Sequence, residues 1–273
     1  MTLFAHARSA RLLLHACLLM AVVLAERACG GSPAGMSLLP AGNYRPLFRG
    51  TNDPATQFVA PFWLDCTPVT RGQFLDFVKE CPKWRRSRVI RLFVDTSYLS
   101  DWKADLDPGI DKDPQVLSRP AVQVSWFAAR AYAEWRGCRL PTTPEWERAA
   151  AEGFLLAEGS KESEFRAALA RWYGSAAPEV LPIVGSGRAT LHGIHDLHGL
   201  IWEWTEDFNS SLVTGDARED TGLERQLFCG AGSVGARERS DFPAFMRAGF
   251  RSSLRSPYTL SNLGFRCARS ATP

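Results

Sequence analysis

The chain has 273 residues, enough for one large domain or two small ones, and its 45% hydrophobic and 22% charged residues are ordinary for a globular protein. Its formal net charge is +3, with acidic and basic residues mixed along the sequence, which is too little to argue for a nucleic-acid partner or an anionic membrane surface. Nine Trp and sixteen Phe point to an aromatic-rich core, which suits a loop-rich fold that must bury area through large side chains.

At the amino terminus Arg8 and Arg11 precede an apolar run, Leu12 to Ala25, interrupted by His15. The run is too short to span a bilayer comfortably. Residues 1–28 read as a secretory signal peptide, with Val23 and Ala25 at the two selected positions and cleavage after Ala25. Cys29 raises a lipoprotein anchor, which Glu26 and Arg27 directly upstream disfavour; an uncleaved anchor is the remaining alternative. The mature protein is therefore expected to be exported, to a periplasm if the source is Gram-negative, with no stable membrane span after processing. Export permits disulfides. Cys66, Cys81, Cys138, Cys229 and Cys267 leave an odd cysteine unless Cys29 joins them, and their connectivity stays open; most are expected to be buried or structurally bonded.

Ser37 to Thr70 reads as strands, with a turn at Pro40-Ala41-Gly42 and a short apolar strand over Phe58 to Leu64. Thr70 then caps a helix over Arg71 to Glu80 that carries Phe74, Phe77 and Val78 on one face. The basic run Lys83 to Arg91 reads as a solvated helix face in preference to a site for an acidic partner, because Trp84, Val89 and Ile90 interrupt the charge. Asp101 to Asp113 is an acidic loop that lacks the ligand spacing and terminal Glu of a calcium-binding EF-hand.

Pro120 to Ala151 carries the strongest local signals. Val122 and Val124 flank polar Gln123 as in a short buried strand, and Ser125 caps a helix whose apolar face holds Ala128, Ala131, Tyr132 and Trp135. Gly137 sits where a left-handed cap would end that helix. Thr142 and Glu145 form a T-x-x-E capping box for a second helix, with Pro144 in its first turn and Glu147 where a negative charge suits the helix dipole. Glu152 to Trp172 reads as a further amphipathic helical insertion, and Pro178 to Arg188 as a linking loop.

His192, His195 and His198 form an H-x-x-H-x-x-H run. Imidazole is a common metal ligand, yet Gly193 and Gly199 imply loop backbone that need not converge three rings, and structural hydrogen bonding is the favoured role. Leu200 to Thr205 reads as an aromatic strand packing Trp202 and Trp204, with Glu203 paired or hydrogen-bonded inside.

Three stretches carry a family resemblance: PAVQVSWFAARAYAEWRGCRLPTTPEWERAA from Pro120, DLHGLIWEWTEDF from Asp196 and SNLGFRCA from Ser261. Together they resemble the formylglycine-generating enzymes, or sulfatase-modifying factors, over a domain spanning residues 37–270. The resemblance implies an α+β fold, a variant of the C-type lectin fold with much irregular structure. The family oxidises a substrate cysteine with oxygen, using a copper ion held by two cysteines. Here Ala236 and Asp241 lie near those two positions, and no cysteine occurs between Cys229 and Cys267. Neither side chain replaces a thiolate, so formylglycine formation and copper binding are disfavoured and no catalytic residue is assigned.

The resemblance also implies a calcium site around G-N-x-W-E-W. Glu203 remains, but Leu200 replaces the Asn, and a hydrocarbon cannot coordinate a hard cation. Family members join a cysteine of the first central helix to the terminal one; Ala133 occupies that place here, and Cys138 is a candidate substitute partner for Cys267. Ser233, Arg251, Ser252 and Asn262 match positions around the family's substrate cleft, with Trp204 as an aromatic wall, a set suited to an extended peptide; the alternative is that Arg251 and Asn262 satisfy local loop carbonyls. PFWLDCTPVTRGQFLDFV and WRRSRVIRLF are similar to exported accessory proteins linked to copper nitrite reductases. That similarity implies an accessory or maturation role near a periplasmic redox enzyme, with a protein or extended-peptide partner. An oxidoreductase of the same family with altered, metal-dependent chemistry is the alternative, and carbohydrate recognition by lectin analogy a weaker third.

Overall fold

The computed structural model describes residues 33–47, 54–110, 113–209 and 242–271, and every element below lies in the compact unit Gly35–Pro273. Among the described residues the order is β1 (Met36–Leu39), β2 (Gly42–Tyr44), β3 (Gln57–Val59), β4 (Phe62–Asp65), α1 (Arg71–Glu80), α2 (Trp126–Trp135), α3 (Thr143–Ala150), α4 (Ser163–Tyr173), β5 (Trp202–Glu203), α5 (Phe242–Ser253), β6 (Leu263–Gly264) and β7 (Ala268–Ser270). β4 is the middle strand of the larger sheet, antiparallel to β1 on one side and to β7 on the other. β2 and β3 form an antiparallel pair, and β5 and β6 a short parallel one. The remaining chain is turns and irregular backbone, an α+β architecture.

The helix ends follow from local chemistry. The Thr70 hydroxyl accepts from the Gln73 N–H while the Gln73 side chain accepts from the Thr70 N–H. Thr142 and Glu145 do the same for α3, and Ser125 accepts from the Ala128 N–H at α2. Each such cap is worth about 1 kcal/mol. Gly137, at φ 71°, lets the chain turn away from the end of α2.

Three local expectations are corrected. Phe58 to Leu64 is two strands, because Ala60-Pro61 interrupts the ladder and Pro61 has no N–H to give it. Val122 to Val124 is not a strand: Gln123 takes φ 56°, and its N–H donates to Leu260 while that of Ala121 donates to Val69. The kink sends Val122 and Val124 into different apolar clusters. Lys83 to Arg91 is not a helix face, since only Pro82–Trp84 forms a 3-10 turn and the rest is turns.

The main core lies between α1, α2 and the C-terminal segment. Phe74 stacks on Tyr132 with ring centroids 5.9 Å apart, and Phe265 meets both edge-on at 6.2 and 5.3 Å. Fully buried Ala128, Ala129 and Ala133 let α2 approach closely. Cys66, Cys81, Cys138 and Cys267 are unbonded thiols, so the pairing of Cys138 with Cys267 is not formed. Arg139 bridges Ala268 in antiparallel register, which sets Cys138 opposite Arg269 and only diagonal to Cys267. Burial pushes the Cys267 thiol well up from its ordinary range. Cys229 and the signal-peptide residues lie outside the described residues. No described helix is long and apolar enough to cross a membrane.

Candidate functional site

α3, α4, β5 and α5 meet at a buried ion cluster backed by aromatic rings. Arg247 and Arg251 are four residues apart on α5 and so share one face. Both reach Glu147 of α3: the Arg247 guanidinium donates to both carboxylate oxygens at 2.6–3.1 Å, and Arg251 Nη1 donates to Oε1 at 2.5 Å. The Arg side chains are 8% exposed and Glu147 10%. Both guanidiniums lie over the Trp146 ring, 5.5 and 4.8 Å from its centroid. Burial alone would raise the Glu147 carboxyl, but the two guanidiniums outweigh it and hold the group down to about 2.

A hydrogen-bond relay leaves this cluster. Arg247 Nη1 donates to the Tyr173 hydroxyl at 2.9 Å, which lies 3.5 Å from His198 Nδ1, and His198 Nε2 donates to the Ala150 carbonyl at 3.0 Å. The carbonyl can only accept, so the ring proton sits on Nε2 and Nδ1 faces Tyr173 as an acceptor. Burial, helped by nearby Arg247, pushes His198 down to about 3 and keeps the ring neutral. As pH falls below 6.5, the unfolded chain takes up a proton that the folded ring refuses, so His198 lowers stability progressively down to about pH 3. One ring edge faces a cavity and softens this, leaving a loss of about 1–2 kcal/mol between pH 6.5 and 5. His198→Phe is expected to flatten stability against pH across that window, read from denaturant midpoints; an unchanged slope would show that the ring already accepts the proton.

The cavity encloses about 740 Å³ and is lined by Phe165, Trp172, Tyr173, His198, Trp202 and Asn262, among others. Trp202 stacks face to face on Phe250, with centroids 4.3 Å apart and planes at 20°. This stack stands between the cavity and the ion cluster. Behind it a void of about 10 Å³ touches Glu203, Arg247 and Arg251, room for a single water.

Several sequence-based assignments are corrected. Trp204 is 0% exposed and donates its indole N–H to the Val124 carbonyl; it is core, and Trp202 is the tryptophan at the cavity. Arg251 belongs to the ion cluster, and Ser252 donates to the Gly249 carbonyl within α5. Asn262 is the member of the cleft set that reaches the cavity, where its backbone carbonyl also accepts from Trp202. Ser233 lies outside the described residues. Glu147, Arg247, Tyr173 and Trp202, which organise the site, were not assigned to it from sequence. The i, i+4 arginines beside Phe242, Met246 and Phe250 were the available signal.

The metal candidates are dispersed. His192 Nδ1 lies 2.9 Å from the buried Glu152 carboxylate, His195 Nδ1 donates to the Gly187 carbonyl, and His198 serves the relay. Glu203 is fully enclosed, with Arg266 donating to both its oxygens at 2.8 Å and Trp146 Nε1 to one of them at 2.8 Å. Leu200 is buried with Val122, Leu181 and Ile201, while Asp196 accepts from the Gly185 and Gly187 N–H groups. These residues do not fit a calcium ion. Among the described residues no group of three or more His, Cys, Asp or Glu side chains converges.

The short sheets, irregular loops and aromatic core make an α+β domain, and the profile that matches its sequence identifies the fold as the formylglycine-generating-enzyme type. Residues 22–271 match the profile of the sulfatase-modifying factor enzyme 1-like domain, and the chain belongs to that family. It is 30% identical to the inactive C-alpha-formylglycine-generating enzyme 2 of Bos taurus, over 88% of this chain and 90% of the relative. It is 29% identical to a formylglycine-generating enzyme of Streptomyces coelicolor, over 77% and 79%. The solved structure of CarF superimposes with a TM-score of 0.47 at 18% identity, covering 88% of this chain and 99% of that one.

Proposed function

We propose that this protein is a non-catalytic accessory member of its family, exported from the cytoplasm, that holds an extended peptide of a protein partner. The observation that carries the reading is the cysteine-free stretch between Cys229 and Cys267, since oxidation on copper needs soft thiolate ligands that Ala236 and Asp241 cannot supply. The 30% identity to a relative named as inactive supports it. The aromatic cavity offers Trp202, Trp172 and the Asn262 amide to peptide side chains and backbone. A periplasmic redox enzyme such as a copper nitrite reductase is the partner class proposed on sequence similarity.

The test incubates the protein with copper, oxygen and a peptide bearing a C-x-P-x-R core, followed by mass spectrometry. No conversion, together with saturable retention that Trp202→Ala weakens roughly 10- to 30-fold, is the expected result. Conversion above a copper-only control, abolished by Cys229→Ser, would overturn the reading and make Cys229 a solitary catalytic thiol. Absence of both conversion and retention would rule out the cavity as the peptide site.

A further inference from the structure

Away from the cavity, the basic run at 85–91 packs against residues 99–106 to form a second, shallow and widely open concavity. Besides Lys103, its lining holds three arginines, Arg85, Arg86 and Arg91, against one carboxylate, Asp105. Two of these cations are fixed by neutral groups. Arg86 Nη1 donates to the carbonyls of Leu99 at 3.1 Å and Trp102 at 2.7 Å, and Arg85 donates to those of Val78 and Lys79 at 3.0 Å. Carbonyls orient a guanidinium without cancelling its charge. Asp105 in turn accepts from the Ser87 N–H and hydroxyl, so the two walls are cross-linked. Of the neighbouring carboxylates, Asp101 is neutralised by Arg71, whereas Asp107 and Asp95 accept from neutral N–H and hydroxyl groups and keep their charge outside the lining.

Apolar side chains lie beside this charge. Ile90 and Leu92, on either side of Arg91, are 63% and 74% exposed, and Leu106 beside Asp105 is 41% exposed. Exposed apolar side chains set beside positive charge suit an interaction surface. We propose that this concavity docks an acidic polypeptide segment bearing apolar side chains on a protein partner. Charge complementarity selects the acidic segment, and prior fixing of Arg85 and Arg86 spares the ordering cost that flexible cations carry. No aromatic platform lines the concavity for nucleobases.

The test uses the full chain and a labelled peptide of alternating Glu and Leu, with fluorescence anisotropy at two salt concentrations. Binding that weakens with salt, and falls about tenfold or more in Arg91→Glu and in Leu92→Ser, is expected. Both positions are exposed, and unchanged thermal melts would confirm that the variants fold. Arg91→Glu is also expected to leave retention of the C-x-P-x-R peptide unchanged, which separates this surface from the cavity. The proposal fails if the acidic peptide does not bind or if both variants bind it like wild type. It fails equally if phosphatidylglycerol vesicles or a single-stranded oligonucleotide compete more tightly than the peptide does.

Discussion

Glu147→Gln is expected to destabilise the protein by about 3–5 kcal/mol, because it removes the one carboxylate among the described residues that bonds both Arg247 and Arg251 and leaves two guanidiniums nearly enclosed without it. Gln keeps the shape of the side chain, so the loss reports charge in preference to packing. The measurement is a denaturant titration near neutral pH, where a lower midpoint with unchanged slope marks a true loss of stability. The effect also has a pH signature. The folded carboxyl is held at about 2 against an ordinary 4.5, so its contribution is complete above 4.5 and vanishes as pH falls toward 2. Wild type and variant should therefore differ most near neutrality and converge in acid. A difference below about 1 kcal/mol, in the range of exposed ion pairs, would show that water reaches the guanidiniums freely.

Arg266→Met should cost a similar amount, about 3–5 kcal/mol, by stranding Glu203 with the Trp146 N–H as its remaining side-chain donor among the described residues. It also removes donors from the Asp65 and His195 carbonyls. Adding Glu203→Leu to this variant should restore part of the loss, since a buried pair replaced on both sides by apolar groups often comes close to neutral. The carbonyls remain unsatisfied, which bounds the recovery. Denaturation of the two single variants and the double gives the coupling directly. Purely additive losses would mean that Glu203 is neutral or solvated in the native protein.

What the sequence disclosed was local. Thr70, Ser125 and Thr142 announced their helices because a cap and its N–H lie within three residues of each other. The aromatic faces of α1 and α2 were visible as helical spacing. Glu147 was visible only as a charge suited to a helix dipole, because its real partner, Arg247, lies 100 residues away. α5 went unread: its Pro243, Gly249 and paired serines resemble loop composition, and tertiary packing of Phe250 and the two arginines overrides that weak propensity. Trp202 and Trp204 are chemically identical in a list, and only the brevity of β5 decides which one faces the cavity. Gln123 defeated the strand pattern through a positive φ that its side chain does not advertise. The arginines at 85 and 86 looked solvated because the carbonyls that hold them belong to backbone that sequence patterns do not place.

The placement of β4 has a consequence for how the chain reaches its native state. Its two neighbours, β1 and β7, flank it from opposite ends of the described chain, and the Cys267 N–H donates to the Asp65 carboxylate across 202 positions. Gly264 presses the same late segment so closely to the Ala121 carbonyl that a Cβ there would sit 2.4 Å from the oxygen. Closure of so long a loop must precede the contacts that reward it, which makes formation of this sheet intrinsically slow. A nascent chain that has not yet released residues 263–270 therefore holds β4 with one edge open.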